Sequence, residues 1–339
     1  MKNILVSWLL LLLLMSCSSS VRDVEKVDLA ITGELILEMF IPEEVHLSMV
    51  YDICAKNEHL YCLDFYNDTI LKVYNAQIPP SLIGYTLKGG GPEEFSFPFF
   101  ETTLPNSEGD IRVMDLNRWC VKRLVGDSGQ VKAEKIMNLP AIPAIQNYNE
   151  TESAIYGNDI EFSEGAFLRY DKVTKTSQGM GECLTEAEIP DIYTLDELSL
   201  LKRNIIGVNE QADVVCVAMQ YVNLLCLYSL DGELKKRIML GDECIFPERD
   251  KEYLDFPQAK KQIVSMTGTK DYLYCLYNGS IEDNDGSLIL QLDWDGNLRG
   301  VWKTGVVLEK ISITPNGLYI YGTHVAESGG SDVYRFPVI

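Results

Sequence analysis

A unit made of a hydrophobic strand, a polar turn and a second strand recurs along this chain. Clear copies occupy 58–76, 109–126, 213–241, 271–304 and 317–339, and a weaker copy occupies 153–173. The copies begin roughly 45 to 60 residues apart, in the range typical of propeller blades built from four strands. Six units therefore predict an all-β fold, a six-bladed β-propeller. The alternative architecture is a pair of β-sandwiches.

The two ends of the chain favour a closed ring. In the last unit the third strand, at about 332–338, runs to the end of the sequence and leaves no residues for a fourth strand. An unmatched strand at 34–40 lies near the other end of the chain. Pairing these two strands completes the last blade and removes exposed sheet edges. We therefore expect one propeller domain over 33–339, because a pair of sandwiches would not explain the missing strand.

Two connections between units are longer than the others. They span 183–202, between the third and fourth units, and 242–260, between the fourth and fifth. Long insertions in a repeat fold usually lie on one face, often the binding face. Within the first connection, 194–203 has apolar residues at helical spacing after a Thr/Asp start. This pattern predicts a short helix.

The first residues of the chain have the pattern of an export signal. Lys2 precedes an apolar run at 4–15 that is too short to span a bilayer but has the length of a secretory signal. Cys17 directly follows a small residue, which resembles the lipobox of bacterial lipoproteins. We expect a signal peptide over 1–16, then a lipidated cysteine and tether over 17–32. An ordinary cleaved signal or a helical anchor is the alternative.

Lipid attachment would make the membrane a partner of this protein. Stable anchoring needs two or more acyl chains, and lipoprotein processing would supply them on Cys17. Ser18 follows the cysteine, where an aspartate is often linked to retention in the inner membrane. We therefore expect a protein of the cell envelope, at the outer membrane rather than the inner one.

The charge of the chain excludes some partners. The formal net charge is −21, with 50 acidic against 29 basic residues. Such a field argues against binding of nucleic acid or of anionic lipid headgroups. An acidic surface also keeps exported proteins soluble, so the charge itself identifies no partner.

Cysteine usage is unusual for an exported chain. An even number of cysteines outside the cytoplasm favours disulfides, but here most lie inside apolar β-rich runs, where cysteine acts as a small buried hydrophobe. No CxxC pair occurs. Two hairpin bridges stay open as alternatives, Cys54 with Cys62 and Cys216 with Cys226. The eight cysteines besides Cys17 are Cys54, Cys62, Cys120, Cys183, Cys216, Cys226, Cys244 and Cys275.

A loop after the fourth strand of the first unit suggests a family. The segment 88–95 reads Lys-Gly-Gly-Gly-Pro-Glu-Glu-Phe. It resembles a loop of six-bladed, TolB-like or NHL-like propeller lipoproteins of Bacteroidetes, although Glu93 stands where that pattern often has glycine. The resemblance covers nearly the whole mature chain. It implies a secreted, lipid-anchored propeller and carries no activity that can be transferred.

The same loop is not expected to bind phosphate. Its glycines lack the spacing of phosphate-binding loops, and Pro92 removes a backbone donor. We expect a structural crossing between blades instead, with Phe95, Phe97 and Phe99 as packing anchors.

Catalytic and metal-binding patterns are weak. The chain has no GxSxG elbow, and its acid/base candidate is His324 in the loop between the second and third strands of the last blade. Six-bladed lactonases and related hydrolases hold calcium at the ring axis, and calcium takes six to eight oxygen ligands. The favoured explanation of the acidic residues in these loops is an ordinary solvated surface, with calcium binding as the alternative. The weak calcium candidates are Asn158, Asp159, Glu282, Asp283 and Asp285.

One face of the predicted propeller carries residues suited to recognition. Aromatic rings beside amides and an arginine combine stacking with hydrogen bonding, which suits a sugar or a peptide. Trp119 has an alternative role in packing between blades. We expect a binding module for a glycan, peptide or protein partner, and the alternative is a calcium-dependent hydrolase or lyase. The candidate residues are Tyr66, Asn67, Asp68, Asn117, Arg118, Trp119, Gln220, Tyr221, Asn223 and His324.

Overall fold

The protein is a six-bladed β-propeller, as the repeats predict. The computed structural model describes residues 23–41, 47–56, 58–101, 110–139, 145–159, 165–248, 259–279 and 286–338. Six sheets of four or five strands form the blades. The first strands of the six blades contact each other in sequence and close into a ring around a central channel.

The strands follow the turn signals of the sequence. In chain order they are β1 Val24–Val27, β2 Gly33–Glu34, β3 Glu38–Ile41, β4 Val50–Lys56, β5 His59–Asp64, β6 Thr69–Asn75, β7 Leu82–Leu87, β8 Pro98–Phe100, β9 Arg112–Asp115, β10 Cys120–Val125, β11 Gly129–Gln130, β12 Lys132–Asn138, β13 Ile145–Glu150, β14 Ala154–Asp159, β15 Phe167–Asp171, β16 Ser177–Met180, β17 Asn204–Asn209, β18 Val214–Met219, β19 Leu224–Tyr228, β20 Leu234–Leu240, β21 Ile263–Gly268, β22 Tyr272–Tyr277, β23 Leu288–Asp293, β24 Leu298–Lys303, β25 Lys310–Ile313, β26 Tyr319–Val325 and β27 Ser331–Pro337.

Each blade is an antiparallel meander whose first strand lines the channel. Blades one to six begin with β4, β8, β13, β17, β21 and β25. The apolar side chains of neighbouring blades pack against each other, so the hydrophobic clusters lie mainly between blades. Asp-Gly turns at Gly232 and Gly296 adopt positive φ, as the hairpin pattern requires.

The ring closes with a strand from the N-terminal region, as the sequence predicts. β3 pairs antiparallel with β27 and becomes the fourth strand of blade six. Arg335 joins the two strands, since its Nη2 lies 2.7 Å from Glu38 Oε2 and its guanidinium lies over the Tyr319 ring. The closing strand covers Glu38–Ile41, a shorter stretch than the predicted 34–40.

The residues before the closing strand also belong to the propeller. β1 adds to β20 of blade four and β2 adds to β24 of blade five, both in parallel orientation. Thr32, between β1 and β2, fastens this segment to β24. Its hydroxyl donates to the Val301 carbonyl at 2.8 Å and accepts from the Val301 amide at 3.0 Å. Residues 24–41 thus form a strap across three blades, where the sequence pattern predicts a tether as far as residue 32.

Side chains of the inner strands connect the blades around the channel. At each seam a polar side chain on one blade bonds to the backbone of the next, which satisfies buried backbone groups and fixes the blades together. The bonds are Asp52 with Phe100 N, Glu101 with Glu150 N, Asn149 with Ile206 O, Asn209 with Lys270 O, Ser265 with Ile311 N and Ser312 with Ala55 N.

Seven of the eight described cysteines are buried, as their apolar contexts predict, and Cys244 is exposed. Neither of the two disulfide bridges considered across hairpins is formed. Cys54 pairs across the hairpin with Tyr61, and Cys62 pairs with Ile53. The two thiols therefore point to opposite faces of the sheet. Cys216 and Cys226 are offset in the same way.

The predicted short helix is present in the crossing from blade three to blade four. Helix α1 spans Leu195–Leu201 and begins with a capping box formed by Thr194 and Glu197. Within the described ranges, no helix is long and apolar enough to cross a membrane.

Candidate functional site

Strand direction defines two faces of the propeller. In every blade the first strand starts, and the second strand ends, at one end of the channel, which we call the mouth face. This face carries the loops between second and third strands and the crossings between blades. The opposite end, which we call the base face, carries the other hairpin turns. Binding sites of repeat folds usually lie on one such loop face.

Five aromatic side chains meet at the mouth between blades one and two. Tyr51 lies 5.9 Å from Phe65 and 5.6 Å from Phe99, measured between ring centroids. Phe97 lies 4.8 Å from Phe99 and 5.8 Å from Phe65. These four rings are half-buried, and Tyr66, in edge contact with Phe65, is 72% exposed. We call Tyr51, Phe65, Tyr66, Phe97 and Phe99 the aromatic basin.

A local irregularity turns Tyr51 toward the basin. The pairing of β4 with β5 shifts register between Val50 and Asp52, so Tyr51 has no partner across the hairpin. Such a bulge re-aims the side chain of the extra residue. The Tyr51 hydroxyl donates to the Pro98 carbonyl at 2.7 Å, which joins blade one to blade two behind the basin.

A buried carboxylate holds the loop that carries Phe65 and Tyr66. Asp64 ends β5 and accepts hydrogen bonds from the amides of Ser48 and Met49, both at 3.1 Å. Asn67 Nδ2 donates to it at 2.7 Å, and Lys72 Nζ at 2.8 Å. Burial raises the pKa of Asp64, but the hydrogen bond from Lys72 and the other donors outweigh burial and hold the pKa below its usual range.

Blade two repeats this arrangement. Asp115 ends β9 and accepts from the amides of Ser96 at 3.2 Å and Phe97 at 3.1 Å. Lys122 Nζ lies 3.5 Å from the same carboxylate, and burial lowers the pKa of Lys122. Asp64 thus holds Met49 in blade one, and the Phe65 amide donates to the Met49 carbonyl at 3.0 Å. Asp115 fixes Phe97 from the crossing before blade two.

The triple-glycine loop forms the wall beside this site and is a structural crossing, as expected. Glu94 Oε2 accepts from the Gly91 amide at 2.6 Å. A side chain at Gly89 would place its Cβ 2.2 Å from that oxygen and would displace the Glu94 carboxylate. Phe95 is fully buried under Lys122, whereas Phe97 and Phe99, also expected as packing anchors, are half-exposed in the basin.

The predicted polar groups near the basin are engaged in hydrogen bonds with other groups of the protein. Asn67 binds Asp64, and Asn117 Nδ2 donates to Ser96 Oγ at 3.0 Å. Arg118 Nη1 donates to the Gly91 carbonyl at 3.0 Å. Asp68 is exposed at the tip of the same loop as Tyr66. Of the predicted binding face, the structure therefore brings Tyr66 into an aromatic cluster and uses the amides and the arginine to hold the loops.

The other predicted residues of the binding face lie elsewhere on the mouth face. Tyr221 and Asn223 are buried in blade four, and Asn223 Nδ2 donates to the Leu240 carbonyl at 2.7 Å. Trp119 adopts φ of 47° and packs against the core between blades two and three, in line with its alternative role. His324 Nδ1 lies 2.7 Å from the Val307 carbonyl. Gln220 is half-buried at the start of the blade-four loop.

A small polar cavity lies in the channel among the inner strands of all six blades. Its volume is about 50 Å³, which is room for a few water molecules and far too small for a sugar ring. Asp52, Glu101 and Lys310 contribute to its lining, with serine and threonine hydroxyls from blades five and six. Burial raises the pKa of Asp52, and it raises the pKa of Glu101 to about 7.

The structure gives no support to the weak calcium candidates that it describes. The Asn158 amide is already engaged, because it donates to Asn204 Oδ1 at 2.6 Å and accepts from Asn147 Nδ2 at 2.7 Å. In the portion of the chain that the structure describes, no three His, Cys, Asp or Glu side chains are grouped to hold a metal ion. The side chain of Asp159 and the whole of Glu282, Asp283 and Asp285 lie outside the described residues, as does Cys17.

Sequence reasoning missed four of the five basin rings, although a usable signal exists. Both loops share an order of residues: a serine before the first strand, an aspartate ending the second, then an asparagine and a lysine. The order predicts two matching loops whose neighbouring aromatic residues meet at one seam. The matching sets are Ser48, Asp64, Asn67 and Lys72 in blade one, and Ser96, Asp115, Asn117 and Lys122 in blade two.

Comparison with known proteins supports the fold. No protein-family model and no curated protein matches the sequence. Among solved structures, the chain is similar to a member of the DUF4221 family from Bacteroides vulgatus, with a TM-score of 0.56 and 10% identity over 89% of this chain and 97% of that one. It is also similar to a Bacteroides fragilis protein whose name describes it as exported, with a TM-score of 0.53 and 14% identity over 94% and 99%.

A third similar structure is the extracellular domain of a protein named as a hybrid two-component system of Bacteroides thetaiotaomicron. The TM-score is 0.50 and the identity 11%, over 85% of this chain and 40% of that one. At such identities the likeness shows the propeller fold alone.

Proposed function

We propose that this protein is a lipid-anchored binding module of the cell envelope, and that its aromatic basin binds an apolar segment of a peptide or protein partner. The observation that carries the proposal is the group of four half-buried rings and one exposed ring at the mouth between blades one and two. Large exposed apolar groups on a soluble surface mark interaction sites, and aromatic residues dominate the energy of such contacts.

The chemistry of the basin favours an apolar side chain over a sugar. Three of its five residues are phenylalanines, and the Tyr51 hydroxyl is engaged with the Pro98 carbonyl. Sugar recognition needs hydrogen-bonding groups around a flat ring, whereas most rings here meet edge to face, as Phe97 and Phe99 do at 82°. The result is an aromatic surface with few free polar groups, which suits a leucine or phenylalanine side chain.

Lys88 gives the basin a positive edge. Its Nζ lies 4.5 Å from the centroid of the Phe65 ring and donates to the Phe65 carbonyl at 3.1 Å. A cation beside an aromatic surface attracts a carboxylate that approaches the rim. A peptide with an acidic residue next to an apolar one therefore matches the basin better than a basic peptide.

The proposed envelope location has two supports. Cys17 resembles the lipidated cysteine of bacterial lipoproteins, and two similar propellers carry names that describe them as exported or extracellular. The expected measurement is membrane fractionation in the native host. Wild-type protein should sediment with membranes and incorporate labelled palmitate, and Cys17→Ser should incorporate none. Equal incorporation of palmitate by both proteins would contradict the lipid anchor.

The direction of β1 supports an orientation for the anchored protein. β1 runs parallel to β20, which leads from the base face toward the mouth face, so the chain reaches Val24 from the base side. From Cys17 to Val24 an extended chain spans at most about 24 Å. A bilayer held by Cys17 would then lie on the base side, with the mouth open to partners away from the membrane.

The binding proposal is tested with small probes on the soluble protein that starts at Asp23. Saturation-transfer NMR would compare N-acetyl-phenylalaninamide, N-acetyl-alaninamide and cellotetraose. We expect transfer to the phenylalanine probe alone, with an affinity in the millimolar range for so small a ligand. Tyr66→Ala should weaken the signal severalfold, and Tyr272→Ala, which removes an exposed tyrosine at the base end of β22, should not. Saturation transfer to cellotetraose alone would mean that the protein binds a glycan and not an apolar side chain.

A further inference from the structure

Lys88 places a positive charge against the aromatic basin without an acidic partner. In the part of the chain that the structure describes, its ammonium lies over the Phe65 ring, donates to the Phe65 carbonyl and forms no ion pair. Lys72 in the same blade differs, because its ammonium lies 2.8 Å from Asp64. An ammonium has three N–H donors, and the Phe65 carbonyl accepts one of them. The exposed Lys88 side chain therefore has donors left for a ligand.

The main chain fixes the position from which this side chain extends. The Lys88 amide donates to the Asp68 carbonyl at 2.7 Å, and Lys88 also forms an isolated parallel bridge with Phe95. The next residue continues the contact, since the Gly89 amide donates to the Phe95 carbonyl at 2.9 Å. The backbone of Lys88 is thus held by the loop of blade one and by the crossing to blade two, while its ammonium contacts a ring of the basin.

The other charged groups of the triple-glycine loop have partners within the protein. Glu94 Oε2 accepts from the Gly91 amide at 2.6 Å, and Arg118 Nη1 donates to the Gly91 carbonyl at 3.0 Å. Glu93 Oε1 lies 2.9 Å from the ammonium of a β12 lysine. Asp68 is exposed and adds a negative charge at the tip of the blade-one loop. A ligand with a single carboxylate therefore matches the one ammonium beside the rings better than a ligand with several charges.

The short distance between the cation and the aromatic surface favours an α-carboxylate. Lys88 Nζ lies 4.5 Å from the centroid of the Phe65 ring, so a ligand that contacts both groups has to carry its charge close to its apolar part. In the last residue of a peptide, the carboxylate carbon and Cβ are bonded to the same Cα. An acidic side chain on a neighbouring residue is separated from the apolar side chain by a backbone unit. A charge-assisted hydrogen bond of about 2.8 Å would join the α-carboxylate to the ammonium.

We propose that the basin recognises the C-terminal residue of a peptide or protein chain, with its apolar side chain against the rings and its α-carboxylate on the Lys88 ammonium. This assignment rests on the proposed function and narrows the partner from an apolar segment to the end of a chain. An internal acidic residue beside an apolar one supplies the same two groups, so the experiment has to separate these two sources of a carboxylate.

The test titrates the soluble protein that starts at Asp23 with N-acetyl-phenylalanine and with N-acetyl-phenylalaninamide, which differ in the terminal carboxylate. NMR chemical shifts give the two dissociation constants. We expect the acid to bind roughly threefold more tightly than the amide at low salt, and this preference to be lost in about 1 M sodium chloride. Equal dissociation constants at low salt would overturn the assignment and leave the proposed function standing. Failure of both probes to bind would overturn the proposed function as well.

Variants test whether Lys88 is the group that reads the carboxylate. Lys88→Gln should abolish the preference for the acid, and Lys88→Arg should retain it. Lys132→Gln, which removes the exposed lysine paired with Glu93, should keep the preference of the wild-type protein. An undiminished preference in Lys88→Gln would overturn the role of Lys88.

A second pair of probes separates the two sources of a carboxylate. The peptides N-acetyl-Phe-Glu-amide and N-acetyl-Phe-Gln-amide both lack a free C-terminus and differ in one side-chain carboxylate. We expect them to bind equally. Tighter binding of the glutamate peptide, together with no preference for N-acetyl-phenylalanine over its amide, would overturn the C-terminal assignment in favour of an internal acidic residue.

Discussion

Asp64 and Asp115 occupy the same position in neighbouring blades, and each carboxylate accepts two backbone amides from the crossing before its own blade. Each aspartate also has a lysine partner on the third strand of its own blade, Lys72 for Asp64 and Lys122 for Asp115. This repetition explains how two neighbouring loops hold aromatic rings in fixed positions. The same arrangement of an aspartate, two backbone amides and a lysine therefore supports the basin from both neighbouring blades.

The first prediction concerns Asp64→Asn. The change removes a buried negative charge and leaves the Lys72 ammonium facing a neutral amide, so we expect a loss of roughly 3 kcal/mol in the free energy of unfolding. Urea unfolding at pH 7 measures it, and Asp68→Asn, an exposed acid in the same loop, is the control. Because the pKa of Asp64 is lowered in the fold, its contribution is complete above about pH 4 and is lost as the pH falls through the folded value. An equal effect of the two variants would contradict this account.

The second prediction concerns Glu101, the carboxyl group that joins blade two to blade three. Burial raises its pKa to about 7, with the Glu150 carboxylate adding to the effect and Arg112 opposing it. A raised pKa means that the folded protein binds the proton more tightly than the unfolded chain. Stability is then lost as the pH rises from about 4.5 to 7 and stays reduced above 7. Glu101→Gln removes this loss.

We therefore expect Glu101→Gln to be more stable than wild type at pH 8, by on the order of 2 kcal/mol, and equal to it near pH 4.5. Thermal unfolding at both pH values measures the difference. Glu152→Gln, an exposed acid near the same base face, should show no such dependence. A Glu101→Gln variant less stable than wild type at both pH values would show that the ionised form bonds better to the Glu150 amide.

The third prediction concerns the N-terminal strap. A protein that starts at Gly33 keeps the closing strand β3 but lacks β1 and the two hydrogen bonds of Thr32. It also exposes the core beneath Val27, which is 8% exposed in the fold. We expect a monomer that stays folded and loses at least ~2 kcal/mol in the free energy of unfolding. Unchanged stability would show that the strap is only a connection to the N-terminal residues.

The sequence predicts the architecture well because strand and turn patterns are local and because the strands in each repeat can be counted. Alternating apolar residues and Asp-Gly turns mark the strands, and a missing fourth strand in the last unit identifies the closing strand near Met39. The aromatic basin does not follow from such patterns. Tyr51, Phe65 and Phe97 come from three segments, and their shared position depends on a bulge in β4 and on a crossing between blades.

The burial of the predicted binding residues also could not be read from the sequence. Asn223 follows a polar turn in the same way as Asn117, yet it is completely buried and satisfies backbone carbonyls in a longer crossing. Its burial depends on how the segment after β20 folds back over blade four. A polar residue at a turn therefore indicates a loop but not whether its side chain reaches a ligand.

Binding of an apolar side chain by the basin can be followed by 19F NMR. The protein is labelled at its 11 phenylalanines with 4-fluorophenylalanine. Phe97→Leu and Phe65→Leu assign the two basin signals, and the buried Phe167 and Phe336 in other blades serve as references. We expect N-acetyl-leucyl-phenylalaninamide to shift the Phe97 and Phe65 signals in a saturable way and to leave the references unchanged. Basin signals that stay fixed with the peptide, or that shift with cellotetraose instead, would contradict this expectation.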